Sequence, residues 1–291
     1  MNHLTEHGLR KTLSDLPLGG IRFLKQTGST NDVALAWAAE GAADLSLVVA
    51  EEQTAGRGRF GRKWVTPPGT ALAFSLILRP RPVERDVIPL YSALGALAIA
   101  TTLEEKYALK PEIKWPNDVL LARQKVSGIL AEAVWLENRV ESVVLGIGLN
   151  VRAEAIPSAE SFSFPAISLE TVTGQSIERI KLLDAILTAL IAWRPRVGCG
   201  EFIRAWEDRL AFRGEWVQVW AEDQRQQMLS RTGVHRIASL MPPLFAARTV
   251  LRSVRAGQVE GLDRDGSLRL RSPEGESFSV RFGEVHLRPV V

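Results

Sequence analysis

The chain has 291 residues, 46% hydrophobic and 24% charged, enough for one large domain and one small one with cores of their own, which excludes a disordered tail or peptide scaffold. Its net charge is +3; residues 1–212 carry 24 residues of each sign, and the excess lies in 213–291, with 12 basic against 9 acidic residues, too little for a polyanion-binding stripe. No apolar run approaches the roughly 18 residues of a membrane span, the start from Met1 to Lys11 is polar, and Cys199 and four scattered histidines (His3, His7, His235, His286) leave no disulfide framework or zinc cluster, so the expectation is a cytoplasmic protein without DNA or membrane partners.

The first helix signal starts near Ser29, where Ser29 and Asp32 have capping-box spacing and Gly41 suits the position after the helix. Compact apolar runs at 45–50 and 71–78 predict strands joined by a glycine-rich loop. Ala and Leu at helical spacing predict the longest helix over 86–109, with Pro89 tolerable in its first turn and Pro111 beyond its end. Residues 113–115, 119–121, 127–136 and 140–150 read as strands of a mainly antiparallel sheet, and 180–193 and 201–210 as helices. From Glu215 the texture changes to short strands at 216–220, 257–261, 267–271 and 277–281, a small β module. The expected domains are therefore 1–212 and 213–291, the second carrying an insertion at about 221–256 that is partly helical or partly disordered and has a Met-Pro-Pro break at 241–243.

Four constellations carry chemistry. Gly56-Arg57-Gly58-Arg59-Phe60-Gly61-Arg62 matches G-x-G-x-x-G, yet no helix opens at its last glycine, because Lys63-Trp64-Val65-Thr66-Pro67-Pro68-Gly69 is incompatible with one. A loop remains whose glycines let amides approach an oxyanion and whose arginines supply fixed charge: a site for phosphate plus a planar group, or an arginine-glycine contact with nucleic acid. Lys114-Trp115-Pro116-Asn117-Asp118 falls at a strand-to-strand turn and also reads as simply a good turn. Lys125 precedes Val126-Ser127-Gly128-Ile129-Leu130, and a lone lysine there also suits a solvated surface. Gly146-Ile147-Gly148-Leu149-Asn150 puts bare backbone on one side of a strand, for a bulge or for a flat ligand.

In this order and spacing, Gly28-Ser29-Thr30-Asn31, Gln53, the glycine-arginine loop with Trp64 beyond it, K-W-P-N-D, K-x-x-G-I-L and G-x-G-x-N resemble the biotin protein ligase family over about residues 20–290. The resemblance implies an α+β fold: a catalytic domain with a mixed, mainly antiparallel sheet related to class II aminoacyl-tRNA synthetases, followed by an SH3-like β-barrel. Two departures are noted. Gly28 to Asn31 come too near the start to leave room for a winged helix, and the insertion is foreign to the pattern.

The resemblance also implies the reaction. Biotin's carboxylate attacks the α-phosphate of ATP with Mg2+ to give biotinyl-adenylate and pyrophosphate; a lysine of a biotin carboxyl carrier domain of acetyl-CoA carboxylase then takes the biotin and AMP leaves. Ser29, Thr30, Asn31, Gln53, Gly56, Arg57, Lys125, Gly128, Gly146 and Gly148 are the expected biotin contacts, the neutral hydroxyls and amide suiting a ureido ring whose unpaired burial would cost several kcal/mol. Arg59, Arg62, Trp64, Asn117, Lys125 and Asn150 are expected at the nucleotide, and Arg57, Arg59, Lys114, Asp118 and Lys125 in catalysis. Holding the carrier amine neutral at pH 7 costs about 4.6 kcal/mol, so Asp118 is expected to orient the ammonium and accept its proton only as the new bond forms. The metal's ligands and homodimer formation stay open. The alternatives are a lipoate-ligase-like adenylate transferase, a noncatalytic biotin binder and a biotin-responsive repressor.

Overall fold

The structure, a computed structural model, describes residues 3–137, 139–156, 164–221, 253–281 and 285–289. The chain divides into two compact units, Met1–Ala211 with Leu262–Gly266, and Phe212–Gly261 with Ser267–Val291.

The first unit runs α1 (Glu6–Thr12), β1 (Gly20–Leu24), α2 (Thr30–Ala39), β2 (Ser46–Ala50), β3 (Gln53–Arg57), β4 (Lys63–Thr66), β5 (Ala71–Leu78), α3 (Tyr91–Tyr107), β6 (Glu112–Lys114), β7 (Asp118–Leu121), β8 (Gln124–Leu136), β9 (Arg139–Asn150), α4 (Leu169–Thr173), α5 (Arg179–Trp193) and α6 (Gly200–Glu207). Seven strands form one sheet in the order β1-β2-β5-β9-β8-β7-β6. Only β1 and β2 pair in parallel, so the mixed, mainly antiparallel α+β expectation is met. Every residue of β5 is buried, as a central strand covered on both faces requires.

Side-chain alternation assigns the two faces. Ile129 of β8 and Ile147 of β9 point at Gly95 of α3. On the other face, Ala34 and Ala38 of α2 pack with Val48, Ile77 and Val144. Gly146 and Gly148 share that second face, together with Gly128, their cross-strand neighbour.

Three expectations need correction. The long helix begins at Tyr91, after a 3-10 turn over Pro82–Leu90 that holds Pro89; a helix begun at Asp86 would need the Pro89 N–H for its first i→i−4 bond, and proline has none. The segment Pro82–Tyr107 is in fact long and apolar enough to cross a membrane, against the expectation of no such run, but 67% of its apolar window is buried in this fold, so it serves as core. Finally, the glycine-arginine segment is an ordered hairpin, β3 paired with β4 around a 3-10 turn at Arg59–Gly61, where an irregular loop was expected. Helices α1 and α4 and strand β1 were not anticipated.

The second unit holds β10 (Trp216–Ala221), β11 (Ser253–Leu262), β12 (Leu268–Arg271), β13 (Ser277–Val280) and β14 (Val285–Pro289). They form a five-stranded sheet ordered β13-β12-β11-β10-β14. The last strand was not foreseen. Of the expected insertion, 222–252 lies outside the described residues, while Ala221 and 253–256 belong to β10 and β11.

Candidate active site

The site is built on the glycine face of the sheet. Gly128 pairs with Gly148, Leu130 with Gly146, and on the other side of β9 Ala73 and Ser75 of β5 pair with Gly148 and Gly146. Only a strand without Cβ atoms lets groups lie this close. A Cβ at Gly148 would sit 2.5 Å from the Trp64 indole nitrogen, and one at Gly146 would sit 2.7 Å from the Asn31 amide carbon, both far inside van der Waals contact. Trp64, carried by β4, thus lies on the wall, and its buried indole N–H has no hydrogen-bond partner among the described residues.

At one end lies a charged cluster. Lys125 Nζ is 2.7 Å from an Asp118 carboxylate oxygen and 5.7 Å from the centre of the Trp64 ring. Burial alone would raise the Asp118 pKa, but the ammonium groups of Lys125 and Lys114 and the Arg62 guanidinium together hold it below its ordinary 3.8. Asp118 is therefore an ionised anchor for Lys125 and a poor proton acceptor. A carboxyl depressed in this way contributes stability above its unfolded pKa and loses it as pH falls through the folded one. Carbon-13 titration of Asp118 should accordingly give a midpoint below the ordinary 3.8, and a midpoint at or above it would show the pair to be absent. Lys114 itself lies 4.0 Å from the centre of the Phe164 ring.

The K-W-P-N-D turn, whose Trp115–Pro116 peptide is cis, positions Asn117 as a tie. Asn117 donates to the Ile129 carbonyl (2.8 Å) and accepts from Arg59 (3.0 Å), so Arg59 reaches from the hairpin back to the sheet.

At the other end a buried neutral set surrounds the start of α2. The Thr30 N–H and hydroxyl both donate to Gln53 Oε1, at 2.7 and 3.0 Å, and the Ser75 hydroxyl donates to Thr30 Oγ1 (2.8 Å) or Asn31 Oδ1 (2.6 Å). This corrects the capping box. Ser29, though buried, makes no side-chain cap bond, and Gln53 satisfies a first-turn N–H of α2 instead. Asp32 is turned to Arg57.

Of the residues expected in the site, Thr30, Asn31, Gln53, Gly56, Trp64, Gly128, Gly146 and Gly148 share the glycine face, and Lys125, Asp118, Asn117 and Arg59 meet at its charged end. Asn150, next along β9, donates to the Ile167 carbonyl at 3.2 Å. Arg57 stands apart from the charged end: its guanidinium sits between Asp32 and Glu132. Ser75, Glu132 and Phe164 went unnoticed in the sequence. Ser75, the one hydroxyl in the apolar run 71–78, and Glu132, an even number of residues beyond Gly128 and so on the same strand face, carried signals that could have been read.

Residues 23–150 match the Biotin/lipoate A/B protein ligase family. Over 258 residues the chain is 34% identical to the biotin–[acetyl-CoA-carboxylase] ligase of Paracoccus denitrificans, covering 87% of this chain and 94% of that protein. Over 160 residues it is 39% identical to the bifunctional ligase/repressor BirA of Bacillus subtilis; that match covers 55% of this chain and 49% of the relative, so the chain spans about half its length. The biotin protein ligase of Aquifex aeolicus, solved in complex with biotin and ATP, superposes with a TM-score of 0.72 at 27% identity, covering 93% of this chain and 99% of that one. The chain belongs to the biotin protein ligase family.

Proposed function

We propose that the protein joins biotin to ATP as biotinyl-5′-AMP, releasing pyrophosphate, and transfers the biotin to a lysine of a biotin carboxyl carrier domain, as the acetyl-CoA-carboxylase ligases it resembles are named for doing. The observation that carries this reading is the glycine wall with a neutral polar set at one end and Lys125 at the other, groups suited to an uncharged ring joined to a phosphate.

Each step uses residues in place. The ureido ring of biotin lies at Thr30 and Gln53, where hydrogen bonding is neutral and buried. Its tail takes the place on the wall that the Trp64 indole, resting on Gly148, must vacate. The carboxylate oxygen attacks the α-phosphorus, the bond from that phosphorus to pyrophosphate breaks, and Lys125, held by Asp118, stabilises the charge on the phosphoryl oxygens. Among the described residues no group of three or more His, Cys, Asp or Glu side chains could hold a metal ion; magnesium brought with ATP would supply charge neutralisation at the phosphates. In the second step the carrier amine attacks the acyl carbon and AMP leaves. Asp118, already spent on Lys125, does not take the amine's proton, which passes to water, and its part in this step is to hold Lys125 in place. The C-terminal sheet closes into an SH3-like barrel, and the enzyme works in the cytoplasm.

Incubation with labelled biotin, ATP and a carrier domain tests the reading, with label on the carrier lysine as the expected result. Biotin-dependent exchange of pyrophosphate into ATP separates it from a noncatalytic binder, and lipoate in place of biotin from a lipoate ligase.

Arg59 links the hairpin to Asn117. Arg59→Gly cuts that tie and should speed adenylate escape by about tenfold or more while adenylate formation falls less. The variant would then label bystander lysines, and equal bystander labelling by variant and parent would remove the hairpin's role in retention.

A further inference from the structure

Glu132 lies on β8 opposite Val144, on the glycine face, four residues from Gly128 and so about 13 Å along the strand from the charged end of the site. Its carboxylate has three polar contacts. Oε2 accepts from the Asn31 amide at 2.6 Å and from Arg57 Nη2 at 3.1 Å, and Oε1 accepts from the same nitrogen at 3.2 Å. Arg57 also holds Asp32 through its other nitrogen. One carboxylate therefore ties together the first turn of α2, the end of β3 and the sheet. Asn31 in turn lies on Gly146 and accepts from Ser75. Side chains that are 38% and 30% exposed gain little from pairing alone; what the network sets is geometry, because both groups it restrains border the glycine wall.

We propose that Glu132 is a positioning residue that, through Arg57 and Asn31, clasps the base of the β3–β4 hairpin onto the glycine wall and so retains the activated acyl group. The inference rests on the ligase reading above. It gives Arg57, whose guanidinium is already neutralised by two carboxylates, a part in this clasp and not at the phosphate.

The test uses the whole protein and the variants Glu132→Gln, Arg57→Gln and the two combined. Escape of preformed biotinyl-adenylate should be about tenfold faster in each single variant, and in the double variant no more than about threefold faster again, since both remove one link. For Glu132→Gln, KM for biotin should rise by about the same factor while kcat changes less than about threefold. Without any ligand, amide exchange over 58–63 should be faster in all three variants. Escape within about twofold of the parent, or single effects that multiply in the double variant, overturns the proposal. If Glu132→Gln fails to fold, Arg57→Gln breaks the same link from the more exposed side and decides the matter. A parent that forms no adenylate overturns the ligase reading, and unchanged amide exchange then overturns the clasp separately.

Discussion

Lys125→Met should lower the rate of biotinyl-adenylate formation about 100- to 1000-fold, the range seen when one donor is removed from a charge-stabilising site. Methionine keeps the length and apolar bulk of the stem and removes only the ammonium. Biotin affinity should change by only a few fold, because the neutral set at Thr30 and Gln53 lies at the other end of the wall. A second effect is structural: Asp118, 2.7 Å from the lysine and largely buried, loses its partner, and a buried carboxylate left without its cation costs about 3–5 kcal/mol. The two effects separate in the double variant Lys125→Met/Asp118→Asn, which should recover most of the unfolding midpoint and none of the rate. Stopped-flow pyrophosphate release and thermal unfolding measure them. Adenylate formation within about tenfold of the parent would show that Lys125 does not act on the phosphoryl oxygens.

Gly148→Ala should be nearly as damaging by a different route. The added methyl would stand 2.5 Å from Nε1 and 2.6 Å from Cζ2 of Trp64, so the indole must withdraw by about 1 Å to reach ordinary contact, and overpacking of this kind costs about 1–3 kcal/mol. Trp64 belongs to β4, so its withdrawal lifts the hairpin from the wall. Biotin affinity, read by calorimetry, should fall by about 10- to 100-fold, in step with that cost. Gly128→Ala is the control. Its methyl meets the end of the Lys125 side chain at 3.0 Å and the edge of the Trp64 ring at 3.3 Å, and a flexible lysine can give way. If Gly148→Ala binds biotin as the parent does, the wall is not where biotin lies.

Much of this was legible in the residues. The strands of the glycine wall follow from apolar runs of strand length, and the alternate glycines of G-I-G-L-N mark one bare face because side chains alternate along a strand. The K-W-P-N-D turn is legible because proline and Asx residues act on their own backbone. Pairings at a distance were not legible. Asp32 looked like a capping residue, and only the approach of the hairpin turned it to Arg57. Arg57, Arg59 and Arg62 are equivalent in the sequence, yet one faces two carboxylates, one an asparagine, and the third contributes charge at Asp118.

By themselves, the residues determined the chemistry on offer: cations beside glycines, a lysine before a strand and neutral hydroxyls at a helix start, together with the strand and helix periods that carry them. Tertiary structure decided which of these groups meet. It alone set the charge state of Asp118, the bond from Gln53 to the start of α2 and the clasp at Glu132. Period and local propensity act over a few residues, whereas ion pairing and burial depend on groups brought together from segments 23 to 101 residues apart, a distance at which no local pattern in the chain specifies the partner.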